Sequence, residues 1–222
     1  MPTVLILGAS RGIGREMVRQ YKQDGWRVIA TARKQEDCDA LTQMGATAHQ
    51  LDVTSADSIA ALGWRLDDEK IDVAWLVAGV YGPVHSGFPT QQEFDSVMHT
   101  NVLAAMRLIP IVAPLLSAAR GKLAVLSSKM GSIGARHSTE GTLYRASKAA
   151  LNSVLADAAI TWGPQGVTCL SFHPGWVQTD MGGEGAPLTP EESVRDLRAT
   201  LAKVDAASNG AFLDHDGTPI PW

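Results

Sequence analysis

In the stretch YRASK, Tyr144 and Lys148 stand four residues apart. On a helix that spacing is about one turn, so a phenol and an amine face the same way. Such a pair alone is most often a solvated face beside a core tyrosine. Here that plain reading has more to explain. Ser127 and Ser128 close one apolar run, Asn101 stands inside a helical pattern, and HPGWVQTD follows another run at 173–180. Each lies where an α/β fold keeps its ligands.

A second cluster stands near the start of the chain, in LILGASRGIGRE. Gly8, Gly12 and Gly14 surround Ser10 and Arg11. Glycines there permit positive φ and remove side chains that would block a pyrophosphate. A helix starting near Gly12 would aim free N–H groups and its positive dipole end at the same point. A plain strand–helix turn would also use glycine, but it has no need of an arginine at position 11.

The elements that must position these residues follow from hydrophobic patterning. Short runs rich in Val, Leu and Ile recur at Thr3–Leu7, Arg27–Thr31, Thr47–Leu51, Val73–Val77, Leu123–Leu126 and Val167–Phe172, with a shorter one at Ala211–Leu213. They read as strands buried on both faces. Helical stripes lie between them. Ile13, Met17 and Tyr21 share one face, and Leu151, Val154, Leu155, Ala158, Ala159 and Trp162 make another. The alternation predicts a doubly wound Rossmann-type α/β fold: a parallel sheet of about seven strands with helices on both faces, spanning 1–222 as a single domain. Ligands of such sheets bind beyond the carboxyl ends of the strands, where the strand order reverses. The stretch Gly182–Pro190 reads as a loop.

Composition narrows the class. With 222 residues, 45% hydrophobic, the chain can fill one α/β core. A net charge of −4 gives no call for nucleic acid or an anionic membrane. Cys38 and Cys169 form no CxxC pattern. No apolar run reaches membrane-spanning length. The start MPTVLILG has no basic segment before its apolar run, so it reads as a strand and not a signal peptide, and the expected location is cytoplasmic.

Taken together, these motifs resemble the short-chain dehydrogenase/reductase family, in its small single-domain form. The resemblance covers essentially the whole chain. It is carried by GASRGIG at 8–14, Asp52 with Val53, Ala78 with Gly79, Asn101, Ser128, Tyr144 with Lys148, and Pro174-Gly175 with Thr179. The tail NGAFLDHDGTPIPW and the GSIG after the serines are similar to the branch of C-factor and the sniffer-type carbonyl reductases.

The resemblance implies roles. A ketone is reduced by a hydride from the nicotinamide and a proton to the forming alkoxide. Tyr144 would give that proton; an unperturbed phenol with a pKa near 10 donates poorly at neutral pH, and the Lys148 ammonium would lower it. Lys148 would also hold the nicotinamide ribose. Ser128 would hold the carbonyl oxygen, with Ser127 and Ser132 as outside candidates. Asn101 would hold a water that re-protonates Tyr144. Gly8, Ser10, Arg11, Gly12, Ile13 and Gly14 would line the pyrophosphate, Asp52 and Val53 the adenine, and Ala78 and Gly79 would leave the adenine room. Pro174, Gly175, Val177 and Thr179 would hold the carboxamide. No metal is implied; His215 between Asp214 and Asp216 reads as a polar turn.

The sequence departs from the family pattern twice. Leu76 and Val77 stand where two asparagines are common, which puts a bracing hydrogen bond in doubt. Ser128 lies 16 residues before Tyr144, so the loop 131–142 is longer than usual. Cofactor choice follows from the end of the second strand, where NAD-preferring relatives place an acid. Here Ala32 is neutral and Arg33 adjacent, and Arg11 could reach the same 2′-phosphate, so the expected cofactor is NADP(H). The expected substrate is a small carbonyl or alcohol compound. The Ala-rich helix after Tyr144 could pack on a second copy, as in relatives, giving a homodimer or homotetramer, though solitary members exist. Of the tryptophans, Trp26, Trp64, Trp75 and Trp162 are expected in packing roles. Two functions fit: an NADPH-dependent carbonyl reductase, or a nucleotide-binding signalling protein of C-factor type with little turnover.

Overall fold

The structure, a computed structural model, describes residues 1–85 and 87–222. Seven parallel strands form one sheet: β1 (Thr3–Leu7), β2 (Arg27–Ala32), β3 (Thr47–Gln50), β4 (Val73–Leu76), β5 (Lys122–Leu126), β6 (Thr168–His173) and β7 (Phe212–Asp214). Their order is β3-β2-β1-β4-β5-β6-β7. The chain therefore runs outward from β1 in one direction, then returns to its other side with β4. That reversal opens a crevice between the carboxyl ends of β1 and β4.

Helices cover both faces: α1 (Gly12–Gln23), α2 (Gln35–Gln43) and α7 (Pro190–Lys203) on one, α3 (Ala56–Arg65), α5 (Ala104–Ser117) and α6 (Thr142–Trp162) on the other. The period-two alternation of strand side chains sends residues of β1 to two separate cores. Val4 and Ile6 pack with Met17, Val18, Leu41, Val194 and Leu197. Leu5 and Leu7 pack with Leu62, Leu108, Val112, Leu151 and Leu155. Both sets are buried, which explains the uninterrupted apolar runs.

Helix starts follow local chemistry. Thr189 caps α7 in a reciprocal box with Glu192, with Pro190 in the first turn. Thr90 and Glu93 do the same for α4 (Gln91–Met98). The helical run from α4 into α5 is continuous through a wide π turn at His99–Leu103. The run Gln91–Ser117 is long and apolar enough to cross a membrane. The sequence pattern had not indicated this, because the apolar positions are spread over two helices and the turn between them. Half of its most apolar window is buried in this fold.

Only β1 matches its expected bounds at both ends; the other six strands are displaced by one residue at one end or both, β5 beginning at Lys122 and β6 running from Thr168 to His173. Trp75 is fully buried and Trp26 and Trp162 are half-buried against the cores. Trp64 is not: it lies on the outer side of α3, 81% exposed. A helix position beside the buried Leu62 need not share its face, and here it does not.

Candidate active site

The glycine turn follows β1 directly. Gly8 has φ +99, and a Cβ there would stand 2.7 Å from the backbone N of Ala78. This close approach brings the ends of β1 and β4 together at the switch point, and only glycine permits it. Val77 and Ala78 both donate from backbone N–H to Leu7 O, at 2.9 and 3.0 Å. These backbone bonds hold the end of β4 against β1, while Leu76 and Val77 offer no side-chain hydrogen bond. Gly14 lets α1 pack on the turn, since its Cβ would overlap Gly8 O at 2.2 Å. Arg11 is the extended residue before α1 and offers no side-chain cap, and the first turn, with Gly12, Ile13 and Gly14, carries no acid. A helix start left free of acid and side-chain cap suits a phosphate group. Ser10 lies in the same turn, half-buried.

Beyond the turn stand the remaining expected cofactor residues. Arg33 follows β2 and is exposed, with no acid at Ala32 beside it. Asp52 follows β3; its carboxylate accepts from Thr54 N at 2.9 Å and Thr54 Oγ1 at 2.7 Å, which holds its pKa below the usual range. Val53 packs against the core. After β6, Pro174 O accepts from Ser193 Oγ at 2.6 Å, and Gly175 takes φ +82. Val177 forms a bridge with Leu188, so the segment folds back on itself. Thr179 reaches the glycine turn: a Cβ at Gly12 would stand 3.1 Å from its Cγ2. Arg11 departs from expectation. Its guanidinium pairs with Asp180 at 2.5 Å, joining the glycine turn to the loop after β6. A neighbouring acid was visible at 180, but its distance from Arg11 was not.

The proton-handling residues converge at the ends of β4 and β5. Tyr144 and Lys148 lie in the first turns of α6, and both are buried. Lys148 Nζ donates to Leu126 O at 2.7 Å and sits 5.6 Å from the Tyr144 ring centre. Asn101 comes from the π turn. Its Oδ1 accepts from Val80 N and its Nδ2 donates to Val80 O, both at 2.8 Å, and Nδ2 also donates to Ser147 Oγ at 2.9 Å. Ser147 in turn donates to Tyr144 O at 2.8 Å. Both amide hydrogens of the Asn101 side chain are therefore committed to protein groups. Gly79 sits between Asn101 and Lys148: a Cβ there would be 3.3 Å from Oδ1 and 3.4 Å from Nζ.

Ser128 is buried, and its Oγ accepts from Met130 N at 3.1 Å. The other two serines are turned elsewhere. Ser127 Oγ donates to Lys148 O, and Ser132 Oγ donates to Pro221 O. Gly131 allows this turn to press on α6, because a Cβ there would stand 2.8 Å from Lys148 Cβ.

Electrostatics differ from the sequence expectation. Burial pushes the Tyr144 phenol up to about 12; the nearby Ser128 hydroxyl pulls it back in part, and Tyr81 adds to the rise. Burial lowers the Lys148 ammonium to about 8. Desolvation is the main cause of both shifts. The phenol is thus held protonated at neutral pH.

Tyr81, in the segment after β4, was missed by sequence reasoning. Its ring stacks on Tyr144 with centres 4.7 Å apart. No spacing rule joins residues 63 apart, so only the fold shows the pair. His85 lies on the same segment and pairs with Glu93 at 3.2 Å. His215 contacts Asp196 on α7 at 3.1 Å.

The doubly wound sheet thus carries a glycine turn at its switch point and, beside it, a Tyr/Lys pair with a buried serine and asparagine. The short chain dehydrogenase family model matches residues 2–187, and the chain belongs to that family. It is 34% identical, over the whole of both chains, to 1-hydroxy-2-glutathionyl-2-methyl-3-butene dehydrogenase of Rhodococcus sp. (strain AD45). Among solved structures it is similar to a short-chain dehydrogenase/reductase from Burkholderia multivorans with bound NADP, at 32% identity and a TM-score of 0.90, covering 100% of this chain and 99% of that one. It is also similar to the carbonyl reductase Sniffer of D. melanogaster, at 28% identity and a TM-score of 0.91, with full coverage of both chains.

Proposed function

We propose that the protein is an NADPH-dependent carbonyl reductase that converts an aldehyde or ketone to an alcohol. The observation that carries this reading is the convergence of the buried Tyr144, Lys148 and Ser128 beyond the carboxyl ends of β4 and β5. Raised to about 12, the phenol is a weaker acid than a free one, but a phenolate is a far weaker base than the alkoxide formed by hydride addition, so proton transfer from Tyr144 to that oxygen runs downhill.

The chain's fit to the cofactor rests on its own geometry. The turn Gly8–Gly14 presents backbone, with a helix start free of acids, to a pyrophosphate. Ser10, Gly12 and Ile13 line it. Asp52 and Val53, with Ala78 and Gly79, bound the adenine side, and Arg33 offers a cation to a 2′-phosphate. Pro174, Gly175, Val177 and Thr179 form the nicotinamide side, and Lys148 faces the ribose. When bound, NADPH supplies the hydride.

Ser128 Oγ holds the substrate oxygen and stabilises its growing negative charge. Tyr144 gives its hydroxyl proton to that oxygen. Lys148, with a pKa near 8, keeps its ammonium form at neutral pH and stabilises the phenolate left behind. Asn101 acts as a brace: through Val80 and Ser147 it ties the end of β4 to the turn of α6 that carries Tyr144.

The test is Tyr144→Phe, which keeps the ring's packing and removes the acid. NADPH oxidation with an aromatic aldehyde or a vicinal diketone is expected to fall by at least ~100-fold, with NADPH binding by fluorescence little changed. Near wild-type turnover by this variant would refute the assignment. If the unaltered protein bound NADPH but left a broad carbonyl panel untouched, the nucleotide-binding signalling reading would replace it.

A further inference from the structure

Tyr81 belongs to neither hydrophobic core. It lies one residue past Val80, whose backbone N–H and C=O are both bonded to the Asn101 amide. That pair of hydrogen bonds fixes the backbone immediately before it. The Tyr81 ring lies on Tyr144 with an interplanar angle of 29°. Its hydroxyl fills the space above Gly141, where a Cβ would stand 2.6 Å from it and 3.0 Å from Met130 Cε. Gly141, at φ +64, is the residue from which α6 starts, three positions before Tyr144.

One ring thus touches the proposed acid and the start of its helix. We propose that Tyr81 is a positioning residue for Tyr144: its stacked ring fixes the tilt of the phenol and keeps water off one face. This deepens the reductase reading and rests on it. A catalytic acid must be held within about 0.5 Å and 10–20° of its productive geometry, and α6 alone leaves one ring face unsupported. The titratable and polar groups facing the phenol are Lys148, whose Nζ is 5.6 Å from the ring centre, the Ser128 hydroxyl, and Tyr81 itself. Burial is the main cause of the raised phenol, so losing the covering ring moves its titration toward lower pH.

The chain has three tyrosines, Tyr21, Tyr81 and Tyr144, so ultraviolet titration of phenolate can be resolved by subtracting Tyr144→Phe. Tyr81→Ala is expected to lower kcat about 3- to 10-fold, the range for losing one aromatic pair, with NADPH affinity within about twofold. Its Tyr144 transition should move acid-ward, and so should the high-pH limb of kcat/KM. Tyr81→Phe, which keeps the stack, should restore kcat to within about twofold. Tyr81→Leu fills the volume without stacking and carries the same test if the alanine variant does not fold. An unchanged kcat and an unmoved Tyr144 transition in Tyr81→Ala would overturn the proposal. So would a Tyr81→Phe loss as large as that of alanine, which would make the hydroxyl and not the ring the working part. If Tyr144→Phe kept full turnover, the acid assignment alone would fall. The absorbance titration needs no substrate and would still decide whether Tyr81 holds the phenol.

Discussion

Replacing Lys148 with methionine should make the protein more stable while abolishing its cofactor-linked chemistry. Lys148 is fully buried, and the hydrogen bond found for its ammonium goes to an uncharged carbonyl, Leu126 O. Among the described residues no carboxylate lies within 4 Å of it. Burial lowers its pKa from 10.5 to about 8, a shift of 2.5 that corresponds to roughly 3 kcal/mol against folding with the charge in place. The sign follows from proton counting. Between pH 8 and 10.5 the unfolded chain keeps the proton and the folded chain has lost it, so stability rises with pH across that window. Below pH 8 the full cost remains; above 10.5 both states are neutral and it is gone. Methionine keeps the apolar stem but forfeits the bond to Leu126 O, which offsets about 1 kcal/mol. The net expected gain at pH 7 is about 2 kcal/mol, or roughly 5 °C in Tm for a chain of this size. Urea melts of the cofactor-free protein at pH 7 and pH 10.5 measure this. Lys148→Met should be the more stable at pH 7, and the gap should narrow at pH 10.5. A variant no more stable than wild type at pH 7, or a gap that ignores pH, would refute the reasoning.

Three further outcomes are expected. With Arg11 paired to Asp180 and Arg33 following a neutral Ala32, NADPH should be preferred over NADH on the order of 10- to 100-fold in kcat/KM at low salt, the value of one charge-assisted contact; Ala32→Asp with Arg33→Ala should narrow or invert that ratio, and equal use of both cofactors by the unaltered protein would contradict it. Asp180→Asn should release Arg11 and raise the NADPH preference by up to about fivefold, the limit for an exposed pair, while NADH kinetics stay the same. Gly131→Ala should press on Lys148 Cβ, 2.8 Å from the added methyl, and lower kcat at least about tenfold with an unaltered circular dichroism spectrum; a fully active variant would show that the turn can yield.

Much of the framework was legible because its causes are local. A parallel strand buried on both faces must be apolar throughout, so β1 read true from Thr3 to Leu7. The turn Gly8–Gly14 was readable because close backbone approach demands glycine whatever the partner. The YRASK spacing needed only the pitch of a helix. What escaped was set by distance in space. The Tyr81–Tyr144 stack joins a loop to a helix across the sheet end, and the Arg11–Asp180 pair joins two loops 169 residues apart. Trp64 shows the opposite limit: a tryptophan beside a core leucine says nothing of which way a short helix is rotated. The phenol's direction of shift was also hidden, since spacing gives the neighbour but not the depth of burial, and burial prevails here.

The wide turn at His99–Leu103 has a consequence for how the lineage can change. It lets the Asn101 amide meet Val80 through both its carbonyl and its amino group, as a neighbouring strand would. Aspartate could not donate and serine could not span the gap, so drift at this position is narrow. Loss of one residue anywhere in the turn is another matter. It would let the helix close into a regular spiral, rotate Asn101 away from the sheet, and leave both hydrophobic cores in place. Such a one-letter gap would be a cheap evolutionary route from an enzyme to a folded nucleotide binder. In an alignment of relatives, that gap, more than any change at the tyrosine, would mark which branches had taken it.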